Sequence, residues 1–268
     1  MNKFIYKYNK YIHKFNNLHG GSSVPEQVVA PALEQVVVPA PEQVVVPAPE
    51  QVVAPVLAPR QRSSIFTEGP NPIVFIFDCD YTIWPFDCDG RYARDVKSPF
   101  IRYPDGFVVD KYGKPANPYP NVPYILGALY DAGIQVAFAS RNPSSKYVKE
   151  LLQAIPLKSQ QPGLSLWDCL RGRENLFHAY SSGGSNNKLN HFIAIKVASG
   201  LQFTDMVFFD DGYGNITHAE SIGIISSLLN QSTGLTWDVI DTVVGRWRQR
   251  LAQATIQQAE TNNQGGKL

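Results

Sequence analysis

Ile73-Val74-Phe75-Ile76-Phe77-Asp78-Cys79-Asp80-Tyr81-Thr82-Ile83-Trp84-Pro85 is an apolar run that breaks off in two carboxylates one residue apart. A continuous apolar stretch of this length reads as a strand buried on both faces of a parallel sheet. In an open α/β sheet, ligands lie beyond the carboxyl ends of the strands, and that is where Asp78 and Asp80 emerge. Two acids so close in a sparsely solvated cleft repel each other and lose hydration, so they call for a cation or for donors nearby. One Asp capping a turn while the other faces water explains an isolated Asp-x-Asp equally well, and the rest of the chain decides between the two.

Three further stretches bring polar groups to comparable places. A helical stretch from Tyr124 to Ala132 closes on Gly133, and Ile134-Gln135-Val136-Ala137-Phe138-Ala139 then reads as a strand ending in Ser140-Arg141. A hydroxyl there can donate to a phosphate oxygen and a guanidinium can bind phosphate bidentately, although a turn serine and a surface arginine give the same pattern. Met206-Val207-Phe208-Phe209 is a third apolar strand, closing on Asp210 and Asp211 with Gly212, Gly214 and Asn215 behind them. Carboxylates converging from separate strand ends suit Mg²⁺, which prefers octahedral oxygen coordination. The same acids ahead of a helix starting at Asn215 would also favour its dipole. Between these strands, Ser185-Asn186-Asn187-Lys188 precedes an amphipathic segment carrying Leu189, Phe192, Ile193, Ile195, Val197 and Leu201. An ammonium at a helix start opposes the dipole, so Lys188 is either a solvated surface residue or is placed there for another purpose. Alternating strand and helix patterns from residue 72 onward predict an α/β fold, a mostly parallel sheet flanked by helices.

The continuation Tyr81-Thr82-Ile83-Trp84-Pro85-Phe86 resembles the magnesium-dependent phosphatase family of the haloacid dehalogenase (HAD) superfamily, whose members carry an Asp-Tyr-Thr-Leu-Trp-Pro-type signature, with Ile83 here in place of Leu. The order of the motifs also follows the superfamily, and the resemblance covers roughly residues 72 to 230. It implies an HAD-like Rossmannoid fold, Mg²⁺ as cofactor, Asp78 as nucleophile and Asp80 as general acid/base. It further implies phosphate binding by Ser140, Arg141 and Lys188, and a metal site drawn from Asp78, Asp80 and Asp211 with Asp210 supporting it from behind. These roles make chemical sense. A carboxylate can attack phosphorus and split hydrolysis into formation and breakdown of an aspartyl phosphate. A second carboxyl can protonate the leaving oxygen and then take a proton from water, while a lysine offsets the developing charge. The family is nearly capless and its substrates are phosphotyrosine-like and phosphosugar esters. Consistent with that, Gly106 to Pro115 reads as a small hairpin turning around Lys111 to Gly113. Between Pro156 and Asn175 this chain departs from the family, with Lys158-Ser159-Gln160-Gln161-Pro162-Gly163 as an apparent insertion. A catalytically silent phospho-ligand binding module and a phosphotransferase using an acceptor other than water are the alternatives these residues leave open.

The 268 residues divide into a basic segment 1–20, a linker 21–65, a catalytic domain 66–255 and a polar tail 256–268 expected to be disordered. In the linker an eight-residue unit recurs four times between Glu26 and Pro55, with Glu-Gln at 26, 34, 42 and 50 and Pro at 31, 39, 47 and 55. Pro in every copy blocks a regular helix, so an extended spacer is expected. Ahead of it, Phe4, Ile5, Tyr8, Tyr11, Ile12 and Phe15 form an apolar face opposed by Lys3, Lys7, Lys10 and Lys14. Two readings stand for residues 3–15: peripheral membrane contact or organelle targeting, and a tail of biased composition. Leu235, Val239, Ile240, Val243, Val244, Trp247 and Leu251 predict a closing helix, with Arg246, Arg248 and Arg250 on its wet side.

A net charge of +1 offers no broad basic footprint for nucleic acid. Cys79, Cys88 and Cys169 form no disulfide framework, which favours a reducing compartment such as the cytoplasm. Cys88 to Arg94 meets the Cys-x5-Arg spacing of thiolate phosphatases, but Asp87 and Asp89 flank the cysteine and disfavour its thiolate. His13, His19, His178, His191 and His218 show no close pair at metal-ligand spacing, so zinc is not indicated. The expected partner is a phosphorylated small molecule or phosphoprotein, and the sequence leaves the oligomeric state open.

Overall fold

In the computed structural model, which describes residues 63–88, 96–179 and 188–265, the quoted apolar run becomes the middle strand of a five-stranded sheet. Residues 1–62, residues 89–95, which hold all of the Cys-x5-Arg match but Cys88, residues 180–187, which include Ser185-Asn186-Asn187 ahead of Lys188, and residues 266–268 lie outside the described residues. The strands are β1 (Val74–Phe77), β2 (Ile101–Arg102), β3 (Val108–Val109), β4 (Gln135–Ser140), β5 (Phe177–Ala179), β6 (Met206–Asp210) and β7 (Ile225–Leu228). The helices are α1 (Val122–Asp131), α2 (Ser145–Ala154), α3 (Leu189–Ser199), α4 (Tyr213–Ser221) and α5 (Trp237–Gly265).

The main sheet has the order β5-β4-β1-β6-β7 with every pairing parallel. Each crossover carries a helix or a helical turn, the arrangement a parallel sheet requires. β1 is buried at all four residues, as are all five of β6. Phe75, Phe77 and Phe209 stack on one face, Phe77 and Phe209 with centroids 5.1 Å apart, and Phe66 links them to Trp237 of α5. Phe208 meets Phe192 of α3 edge-on at 4.8 Å, so apolar cover is supplied from more than one helix. Register places the site. Phe77 lies opposite Phe138 of β4 and Phe209 of β6, so Asp78, Ser140 and Asp210 all leave the sheet at one edge. Among the described residues no helix is long and apolar enough to cross a membrane.

Four expectations need correction. The hairpin ladder pairs Ile101 with Val109 and Arg102 with Val108, and its turn is at residues 103–107. The expected turn at Lys111 to Gly113 does exist: the buried Asp110 carboxylate accepts from the main-chain N–H of Tyr112 and Lys114, but only one bridge, Val109 to Pro115, extends it. The apolar residues of α3 fall on both sides of the helix, with Phe192 and Ile195 buried and Ile193 and Val197 exposed. Arg248 donates to the carbonyls of Pro70 and Ile65, Arg250 to those of Gly223 and Thr204, and Arg246 to that of Ser226. These arginines clasp chain ends next to β1, β6 and β7 instead of simply facing water. Finally, α5 runs ten residues past Thr255 to Gly265. Residues 256–262 are exposed, so no buried face carries the extension, and the good helix formers Gln257, Gln258, Ala259 and Glu260 favour it locally.

The inserted segment folds back on itself, Leu157 N–H donating to Leu164 O at 2.9 Å, and lies against α1, where Lys158 N–H donates to Pro123 O at 3.1 Å. Gly127 makes that approach possible, since a Cβ there would sit 1.9 Å from the Lys158 carbonyl oxygen. Gly127→Ala is expected to cost about 1–3 kcal/mol by overpacking, seen as a lower urea midpoint at unchanged slope. A midpoint equal to that of the wild type would mean the insertion yields freely.

Candidate active site

Strand ends, a turn and a helix start bring the polar groups together. β1 delivers Asp78, the chain turns with Thr82, Ile83 and Trp84 N–H groups directed at the Cys79 carbonyl, and Tyr81 sits in the left-handed region at φ 55°. A non-glycine residue there is strained, and the strain lies between Asp80 and Thr82. β4 delivers Ser140, β6 delivers Asp210, and Lys188 stands at the N-cap position of α3. Asp78, Asp80, Ser140 and Lys188, with Asp211, Arg141 and Asn142, line a cleft of about 360 Å³, and Asp210 lies buried behind it.

Lys188 is 1 % exposed, which rules out the solvated-surface reading. Its Nζ lies 2.5 Å from Asp78 Oδ1 and 2.5 Å from Asp210 Oδ2. Burial opposes its charge, but attraction from Asp78 and Asp210 outweighs burial and raises its pKa. Asp210 is fully buried and satisfied on both oxygens, accepting also from Gly212 N–H at 2.6 Å and from Asn215 Nδ2 at 2.9 and 3.0 Å. Asp211 is half-buried and accepts from Gln231 Nε2 at 2.7 Å.

Asp78, Asp210 and Asp211 each offer an oxygen within 4.8 Å of the others. Two of these carboxylates, Asp78 and Asp210, share one buried ammonium. Burial, with repulsion from Asp210 and Asp80, therefore drives the Asp78 carboxyl well above the usual range despite Lys188. A donor set of oxygens alone, with negative charge in excess, fits Mg²⁺.

Asp80 stands apart from that cluster. Its Oδ1 accepts from Trp84 Nε1 at 2.7 Å and from Cys88 N–H at 3.1 Å, and its Oδ2 accepts from Asn142 Nδ2 at 2.8 Å. Its side chain lies outside the group of carboxylates formed by Asp78, Asp210 and Asp211. Trp84 and Cys88, in the stretch after β1, engage Oδ1, and Asn142, which follows β4, engages Oδ2. Burial pushes its pKa up to about 6 even against those hydrogen bonds, so it carries a proton in mildly acidic solution. Cys88 contributes its main-chain N–H to Asp80, and its thiol is buried.

Ser140 is buried, and its Oγ accepts from Asn142 N–H at 3.1 Å. His191 holds the strand end by a 2.9 Å contact from Nε2 to Ser140 O. Burial, and then Lys188, push the His191 pKa down to about 4, so the neutral ring donates from Nε2. Arg141 is exposed on the cleft wall.

Sequence reasoning missed Asn142, Gln231 and the indole of Trp84 as polar members of the site. Asn142 follows Ser140 by two residues and could have been noticed; Gln231, on the loop after β7, carried no local signal.

The profile of the Acid Phosphatase family matches residues 70–250. The chain is 31% identical over 153 residues to human "Magnesium-dependent phosphatase 1", covering 57% of this chain and 75% of that protein. It is also 31% identical over 156 residues to a HAD-like hydrolase superfamily protein of Schizosaccharomyces pombe, covering 57% of this chain and 83% of that one. A crystal structure of the N-terminal part of a Bacteroides fragilis protein, containing a phosphatase domain complexed with Mg, aligns at a TM-score of 0.41 and 19% identity, over 68% of this chain and 42% of that one.

Proposed function

We propose that this chain, which belongs to the acid phosphatase family and is a Mg²⁺-dependent phosphatase of the HAD type, hydrolyses phosphomonoesters through an aspartyl phosphate on Asp78. The observation that carries the reading is the pairing of Asp78 with buried Lys188 at 2.5 Å beside a second carboxyl, Asp80, held on donors of its own.

Asp78 attacks phosphorus and the ester P–O bond breaks, while Asp80 passes its proton to the departing oxygen. A water then attacks the same phosphorus, Asp80 takes its proton, and the bond to Asp78 breaks to release inorganic phosphate. Ser140 and Arg141 line the cleft where donors to the non-bridging oxygens are needed, and Lys188 offsets the charge that builds on them. Asp78 and Asp211 would hold Mg²⁺, with Asp210 behind them fixing Lys188. A contribution from Asp80 would come from its main chain, since its side chain is engaged elsewhere. The bound ion supplies positive charge that keeps Asp78 ionised and neutralises phosphate. Phosphotyrosine-like and sugar phosphate esters are the substrate classes we expect.

The test is acid quench during turnover of an aryl phosphate with Mg²⁺, followed by peptide mass mapping. A phosphoryl group on the Asp78 peptide, absent after chelation by EDTA, is the expected result. Full turnover with no trapped phosphoenzyme under rapid quench, or full turnover in EDTA, would remove the mechanism. Detection of phosphate on an added alcohol instead of free phosphate would favour transfer over hydrolysis.

A further inference from the structure

The two oxygens of Asp80 are not equivalent. Oδ1 accepts two hydrogen bonds from obligatory donors, the Trp84 indole N–H at 2.7 Å and the Cys88 main-chain N–H at 3.1 Å. Neither donor can become an acceptor, so a proton placed on Oδ1 would face two other protons. Oδ2 accepts from Asn142 Nδ2 at 2.8 Å. A carboxyl oxygen has two lone-pair positions, so beside the Asn142 bond Oδ2 keeps one position for the transferable proton. Both residues line the cleft that contains Asp78 and Ser140.

Asn142 is itself locked. It is 5 % exposed, its Oδ1 accepts from Ser144 N–H at 2.8 Å, and its own N–H donates to Ser140 Oγ at 3.1 Å. Those contacts fix the amide orientation, because a flipped Asn142 would set its carbonyl against Asp80 and its NH₂ against the Ser144 N–H. The side chain therefore ties the end of β4, which carries Ser140, to the oxygen that holds the proton.

We propose that Asn142 is a positioning residue that reserves Asp80 Oδ2 for the proton and aims it at the leaving-group oxygen. This rests on the reading of Asp80 as general acid. Aim matters in proportion to how much the leaving group needs a proton. An alkoxide leaves badly without one, whereas a dinitrophenolate leaves unaided, so mispositioning costs rate selectively.

The experiment compares kcat/KM, which reports the step that expels the leaving group, across phosphate monoesters from dinitrophenyl to alkyl, in the Mg²⁺-loaded full chain. Asn142→Ala and Asn142→Asp are measured from mildly acidic to neutral pH, where Asp80 can carry its proton, with Asp80→Asn as reference. Asn142→Asp keeps the acceptor for Ser144 N–H and puts a second carboxyl in place of the donor to Asp80, so it preserves support of the turn, guards against misfolding of the Ala variant, and isolates the donor only where the two variants agree. Both Asn142 variants are expected to lose about 10²-fold on alkyl esters, the lower end of what proton transfer supplies, and to stay near the wild type on the dinitrophenyl ester. An equal loss across the series in both variants, or wild-type rates throughout in Asn142→Asp, would overturn the proposal while a steep leaving-group dependence in Asp80→Asn left the acid assignment standing. A flat dependence in Asp80→Asn would remove the acid assignment and this inference with it.

Discussion

Replacing Asp78 with Asn is expected to take turnover to background, because a neutral amide neither attacks phosphorus at a useful rate nor forms an acyl phosphate. The substitution is nearly isosteric and relieves repulsion in the cluster of Asp78, Asp210 and Asp211, so the variant should fold at least as well as the wild type. Asp80→Asn retains the nucleophile and should lose about 10²- to 10⁴-fold, the range that general acid/base catalysis supplies. The two variants separate further under acid quench with a good aryl leaving group. Asp78→Asn should trap nothing, whereas Asp80→Asn should accumulate phosphoenzyme, since the aryl oxide departs unaided but water attack lacks its base. Near-normal turnover in Asp78→Asn would end the aspartyl-phosphate reading.

Lys188→Met is expected to be the substitution most damaging to folding. It leaves Asp78 and Asp210 buried without the ammonium that lies 2.5 Å from each. Removing one member of a buried ion network costs about 3–5 kcal/mol because the remaining charge is uncompensated. The sign of the pH dependence follows from Asp78, whose folded pKa lies above the usual carboxylate value. The folded state then binds that proton more tightly than the unfolded chain, so the stability it contributes is complete below the unfolded pKa and is lost as pH rises through the folded one. Without Lys188, which pulls Asp78 down, the folded pKa moves higher still and the loss continues to higher pH. Urea unfolding in chelator should therefore show the deficit of the variant growing from acid to neutral pH. A deficit below about 1 kcal/mol, typical of an exposed pair, or one independent of pH, would mean that Lys188 does not balance the buried acids.

Much of this site was readable along the chain. β1, β4 and β6 are continuous apolar runs closed by polar residues, a pattern that arises because a strand covered on both faces tolerates polar atoms only where it leaves the sheet. The end positions of those runs place Asp78, Ser140 and Asp210 at the ligand edge once the strands pair in parallel. Lys188 was visible as an anomaly, a cation where the helix dipole disfavours one. The closing helix was visible from its period, though its arginines were misjudged: their partners are carbonyls at Ile65, Pro70, Thr204, Gly223 and Ser226, more than 20 residues away for most and invisible to any local pattern.

The sequence by itself determined the parallel α/β architecture, the strand ends that carry chemistry and the residue types gathered there, because burial and periodicity act between near neighbours and leave a record in their order. The tertiary structure alone decided how the acids divide. It set Asp78 and Asp210 on Lys188 with Asp211 beside them, drew Asp80 away onto Trp84, Cys88 and Asn142, and brought Gln231 to Asp211. Hydrogen bonds and charge balance are settled by distance in space, and residues 62 positions apart such as Asp80 and Asn142 acquire a common role only when the fold closes the gap to 2.8 Å.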